Sequence, residues 1–305
     1  MRRRWLTAGY LLVCACFLGY LYAVLAFPAA VEAVAETGPA QEELRPPLRA
    51  LSDALHASVL LPVQGIYQKP ELPNGCEATS LAALLRYYGY PADKVALAYD
   101  FIPREDFTES MTERLGPDPE TAYAGDPAGT GFYCFARPLA QGADAYLKSI
   151  GAPERAVDLT GCTPFVLRRT LASGRPVAVW TTLRMEALAY SATYWWQFSD
   201  SKTLYIPQTN LHCVLLYGYD PNFYYLFDPL YGAVKAPRLL FETRWIQMGS
   251  RALTLSAAPA PVPFLRGGIS TFPADGAAWD LPSYQEAQEP AWLAQPGPSW
   301  QNAWY

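Results

Sequence analysis

The sequence predicts an α+β protein, and three observations point there. The clearest helical stripe, Glu77 to Tyr88, comes early in the chain. The β-branched and aromatic runs at 176–181, 213–219 and 223–227 come late. No helix alternates with those runs as a parallel βαβ sheet would require. The 305 residues are 51% hydrophobic and 17% charged, which suits a large core and excludes a disordered chain.

Taken in order, residues 1–30 read as a basic cytoplasmic stub and a signal-anchor transmembrane helix. Arg2, Arg3 and Arg4 precede 23 residues without charge, Trp5 to Phe27. At about 1.5 Å per residue such a helix spans a hydrocarbon core of roughly 30 Å. Positive residues stay inside, so all that follows is expected outside the cell membrane. The alternative is a long signal peptide cleaved after Ala33-Val34-Ala35, giving a secreted protein. Residues 31–59 read as a juxtamembrane linker with a short helix carrying Leu48, Leu51 and Leu55. His56 beside that stripe reads as a surface or packing histidine.

Residues 60–255 form the expected main domain. Leu60 to Gln68 reads as strand-like or extended. On the helix at Glu77–Tyr88, Leu81, Leu84, Leu85 and Tyr88 fall on one face, and Gly89 ends it. Pro91 is expected to open a second helix to about Tyr99. Residues 100–140 look irregular, with Gly-Pro-Asp clusters at 116–119 and 125–131, a loop region long enough to suggest a functional rim. Helices are expected near Ala143–Ile150 and Pro164–Ala172. Asp220-Pro221-Asn222 joins the last two strand runs into a hairpin. Residues 256–305 read as an extended tail holding Trp279, Trp292, Trp300 and Trp304, free to dock on the body or on a partner.

With 23 Lys+Arg against 28 Asp+Glu, the net charge of -5 argues against a nucleic-acid partner. Only two histidines are present, which argues against catalytic zinc; no metal or other cofactor is expected.

The chemistry converges on four residues. Cys76 starts a helix, where unpaired N–H groups and the dipole favour the thiolate, although on position alone a buried or disulfide-bonded cysteine is an equal alternative. His212 lies one residue ahead of an apolar strand, and Asp228 ends the strand paired with it. The carboxylate can then orient the imidazole toward Cys76. Gln68, eight residues before Cys76, can donate to an oxyanion beside the Cys76 N–H. That ordered set suggests a papain-like thiol enzyme.

The same residues resemble a known family. Gln68-Lys69-Pro70-Glu71-Leu72-Pro73-Asn74-Gly75-Cys76-Glu77-Ala78-Thr79-Ser80 is similar to the nucleophile motif of the stand-alone branch of the double-glycine leader, or bacteriocin-processing, peptidases. Gly125-Asp126-Pro127, Gly174-Arg175-Pro176-Val177, the segment His212 to Asp220 and Asp228-Pro229-Leu230-Tyr231-Gly232 follow in that family's order. The resemblance implies a papain-like cysteine peptidase fold, with Cys76 as nucleophile, His212 as base, Asp228 as orienter, Gln68 in the oxyanion hole and a peptide or protein as substrate. Transporter-linked members carry Asp-Cys-Gly where this chain has Gly75-Cys76-Glu77, so leader specificity does not carry over.

Cys134 and Cys162 could pair in an oxidising compartment, and Cys213 reads as a buried hydrophobe. Two rivals share these residues: a cell-wall peptide amidase or acyl transferase, and a silent binding module using Tyr194, Trp195 and Trp196.

Overall fold

The structure, a computed structural model, describes residues 58–110, 113–199, 203–257 and 281–287. The predicted anchor, His56 and the four tail tryptophans lie outside the described residues. Among the described residues no helix is long and apolar enough to cross a membrane.

The chain starts with β1 (Val59–Leu60) and runs extended to α1 (Cys76–Tyr87). Leu81, Leu84 and Leu85 are fully buried along α1, as their spacing predicts. Gly89, at φ +88°, takes the left-handed conformation that stops the helix. α2 (Lys94–Ala96) continues into a π-helical turn, Leu97–Phe101. It starts at Asp93 and not at Pro91. The Asp93 carboxylate accepts from the Val95 and Ala96 N–H groups at 2.9 Å, satisfying two donors that a proline cannot serve.

Short strands β2 (Arg104–Glu105), β3 (Thr108–Glu109), β4 (Arg114–Gly116) and β5 (Tyr123–Ala124) punctuate the loop region. α3 (Ala136–Ser149) begins well before the expected Ala143. Pro138 sits in its first turn, where a missing N–H costs nothing. Gly142, a poor helix former, lies where a Cβ would come within 2.6 Å of the Ile102 side chain, so close packing chose it over propensity.

β6 (Ala156–Asp158) precedes α4 (Pro164–Ala172), which matches its predicted span and is capped by the Thr163 hydroxyl. Then come β7 (Val177–Thr182), β8 (Trp195–Gln197), β9 (Leu204–Tyr205), β10 (Leu211–Tyr219), β11 (Phe223–Asp228), β12 (Gly232–Pro237), α5 (Arg238–Gln247) and β13 (Ala252–Leu255).

The main sheet is antiparallel throughout, in the order β12-β11-β10-β7-β13-β6, with β1 also paired to β10. It has seven strands where the sequence marked three. β6, β12, β13 and α5 were missed because they are short or mix polar residues into the apolar pattern. Alternation along the strands builds two cores. Trp180, Cys213, Leu215, Leu253 and Leu255 pack under α1 and α3, whereas Val179, Val214, Leu216, Leu226 and Val234 face α4 and α5. The resulting architecture, a cysteine-bearing helix laid on an antiparallel sheet, is papain-like.

All four cysteines among the described residues are free thiols. The considered Cys134–Cys162 bridge is therefore absent. Cys134 is buried in the core under α1, and Cys162 packs against the core on the opposite face of the sheet.

Candidate active site

Cys76 is the first residue of α1, and the turn that delivers it is fixed from several sides. Gly75 has no room for a side chain, since a Cβ would lie 2.5 Å from that of Leu72. The Asn74 amide donates to the Gly129 carbonyl at 2.8 Å, and its backbone N–H donates to the Pro127 carbonyl at 3.0 Å. The buried Tyr123 hydroxyl donates to the Asn74 carbonyl at 2.7 Å. The irregular segment 125–131 therefore buttresses the loop ahead of the thiol.

The sequence placed His212 ahead of its strand; the structure puts it inside β10, paired with Thr181 of β7. Continuing the Leu215↔Phe227 register sets Asp228 across from Val214, on the same face as His212 and diagonal to it. The diagonal is closed by a 2.8 Å hydrogen bond between His212 Nε2 and Asp228 Oδ1. Asp228 Oδ1 also accepts from the Leu230 N–H at 2.7 Å and the Tyr231 N–H at 3.2 Å. Its Oδ2 accepts from the Tyr284 hydroxyl at 2.8 Å. His212 is 3% exposed and Asp228 fully buried. Burial pushes the Asp228 carboxyl upward, but the charge and hydrogen bond of His212, the Leu230 amide and the Tyr284 hydroxyl outweigh it and hold it below its ordinary 3.8.

Cys76, His212 and Gln68 line one cavity of about 240 Å³, together with Asn74, Tyr133, Gln208 and Tyr231. The Cys76 Sγ accepts from the Cys213 N–H at 3.4 Å, while its thiol donates to Glu77 Oε2 at 3.3 Å. Glu77 Oε1 accepts from the Cys134 N–H. The expected thiolate is thus corrected. Burial, with the neighbouring Glu77 carboxylate next, pushes the Cys76 thiol well above its ordinary value despite the helix dipole. Glu77 itself is raised to about 7, chiefly by burial.

Gln68 is 2% exposed. Its Nε2 donates to the Pro73 carbonyl at 2.5 Å, while its buried Oε1 has no partner. The Gln68 N–H donates to Pro229, and Lys94 Nζ donates to the Tyr67 and Gln68 carbonyls, tying this loop to the segment after β11 and to α2.

Tyr123 and Tyr284 were not singled out in the sequence, and Asn74 and Glu77 entered only as helix-start and motif residues. Glu77 adjoins the cysteine and could have been weighed; Tyr284 sits in a segment without periodicity. Trp195, considered for a rim, is fully buried and packs edge-on against Phe107 and Phe132, with its Nε1–H donating to Pro117. Among the described residues no group of three or more His, Cys, Asp or Glu could hold a metal ion.

Comparison with known proteins bears on this geometry. The sequence model of the Peptidase_C39 like family matches residues 60–253. The chain belongs to that family. Over 190 residues, 61% of this chain and 70% of the other, it is 36% identical to the uncharacterized protein YvpB of Bacillus subtilis (strain 168). It is 34% identical, with a TM-score of 0.58, to the crystal structure of a candidate C39-like peptidase from Bacillus anthracis, covering 67% of this chain and 99% of that one. A double glycine motif protease from an AMS/PCAT transporter, solved with its leader peptide, is 16% identical with a TM-score of 0.36, covering 66% of this chain and 95% of that one, a likeness too faint to carry weight.

Proposed function

We propose that this member of the C39-like family is a membrane-anchored, extracytoplasmic cysteine peptidase that cleaves peptide bonds with Cys76, His212 and Asp228. The reading rests chiefly on one observation: a buried, carboxylate-bonded imidazole opens onto the same cavity as a helix-terminal cysteine.

The bond from Nε2 to Asp228 fixes that nitrogen as the N–H donor, leaving Nδ1 as the base. Because the thiol is held neutral, His212 removes the Cys76 proton as attack begins instead of resting beside a preformed thiolate. The thiolate adds to the carbonyl carbon, and the oxyanion takes the Cys76 N–H at the start of α1 and the second amide hydrogen of Gln68. The imidazolium returns its proton to the leaving amine, and water hydrolyses the thioester. The uncharged run from Trp5 to Phe27 supports an anchor with this domain outside.

A peptide library read by mass spectrometry tests the activity. Cleavage by the wild type, with none by Cys76→Ala and a loss of roughly 10²–10⁴-fold in His212→Ala, is expected. Cleavage surviving in Cys76→Ala would overturn the reading. Release of amine from cell-wall fragments, with no library peptide cut, would transfer the same residues to an amidase.

A further inference from the structure

We propose that Tyr284 is a positioning residue of the catalytic centre, held there by a docked C-terminal strap, residues 281–287, that completes the hydrogen-bond shell of Asp228. The inference rests on the Cys76–His212–Asp228 reading and adds a fourth member from the far end of the chain.

The strap is built into the body. Ser283 forms a parallel bridge with Lys235 on the edge strand β12, and the Lys235 N–H donates to the Pro282 carbonyl at 3.0 Å. A turn follows, in which the Glu286 carboxylate accepts from both the N–H and the hydroxyl of Ser283. This places Tyr284, 3% exposed, inside the core with Val234 and Leu226. Its ring meets Tyr231 edge-on at 6.1 Å, and Tyr231 lines the catalytic cavity. Arg184 donates to the Tyr284 carbonyl at 2.9 Å and lies over the Tyr231 ring. Arg184 and Met185 both have positive φ, 54° and 59°, costs that persist only where surrounding contacts over-determine the backbone.

The hydroxyl has one acceptor of consequence. Asp228 Oδ1 serves His212 and two backbone N–H groups, whereas Oδ2 takes the Tyr284 hydrogen at 2.8 Å. A buried carboxylate oxygen without a donor is costly, and a carboxylate free to rotate would release the imidazole it orients. Burial and the adjacent Asp228 charge push the Tyr284 phenol well above its ordinary value, so it remains a donor at every working pH. The titratable and charged groups around Asp228 are His212 and Cys213 from β10, Tyr231 after β11, Tyr284, and Arg184 after β7.

The test uses the full-length chain and iodoacetamide, with alkylation of Cys76 read by peptide mass spectrometry across pH. Tyr284→Phe keeps the ring and removes only the donor. It should slow Cys76 labelling at neutral pH roughly 5- to 50-fold. Its acid limb should move to higher pH, because a carboxylate that has lost a donor takes up a proton more readily. Arg184→Ala should shift the limb in the same direction while leaving all catalytic groups in place. Asp228→Asn and His212→Ala are run beside them. If those two slow labelling but Tyr284→Phe matches wild type in rate and acid limb, the strap proposal falls alone. If they too label like wild type, the underlying triad falls and takes the strap with it. If Tyr284→Phe loses rate with an unmoved acid limb, Tyr284 is only a packing residue and the proposal is overturned.

Discussion

At Cys76 two local fields oppose each other. The start of α1 offers unpaired N–H groups that favour a thiolate, while burial and the Glu77 carboxylate at 3.3 Å favour the thiol, and the second pair wins. Glu77→Gln removes the negative neighbour and keeps the shape. The Cys76 thiol pKa should then fall, and alkylation measured from pH 6 to 9 should rise earlier; an unchanged profile would remove Glu77 from the account. The same residue shapes stability. In the native chain Glu77 keeps its proton to about 7, whereas unfolded it ionises near 4.5. Folding takes up a proton between those values, so this group's contribution falls as pH rises from 4.5 to 7. Asp228 acts oppositely: held below 3.8, it stabilises the fold above that pH and loses the contribution as pH falls through its native value. Denaturant midpoints of Glu77→Gln should therefore decline less between pH 5 and 7 than those of wild type. Asp228→Asn keeps the volume but loses the charge beside His212, and on the proposed peptidase reading kcat/KM should drop by roughly 10²–10⁴-fold.

At the scale of elements, α1 is where sequence and structure agree most closely. Its leucine stripe is decided by spacing, and the buried face it makes lies on β10 and β7. Leu84→Ala leaves a void in that contact and should cost about 2–5 kcal/mol, read from urea unfolding. Gly75→Ala tests the turn before it. A Cβ 2.5 Å from Leu72 must displace the loop or the helix start, costing about 1–3 kcal/mol and shifting the sulfur as well. Cys76 labelling should therefore suffer in Gly75→Ala even where the protein stays folded, unlike Leu84→Ala. Elements whose propensity was overruled by packing were harder to read. Gly142 hid the first half of α3, and α5 carries Arg238, Glu242 and Arg244 among its apolar residues.

For the whole molecule, the uncharged run near the N-terminus makes a separate prediction. Carbonate-washed membranes should retain the full-length chain, and protease added outside intact cells should reach residues 60–255. Recovery in the soluble fraction with a new N-terminus near Ala35 would show cleavage instead. Local sequence by itself determined the α+β class, the helix that begins at the cysteine, the hairpin joining β10 and β11, and the choice of Gln68, Cys76, His212 and Asp228 as residues to weigh. These are legible because a periodic stripe, a turn sequence and a helix start are written in neighbouring residues. Tertiary structure alone decided that His212 and Asp228 meet on a diagonal of the sheet, that burial and Glu77 keep the thiol protonated, and that Tyr284 reaches Asp228 from 56 residues away. The reason is physical: burial, register and long-range hydrogen bonds are properties of which distant segments touch, and no local pattern encodes them.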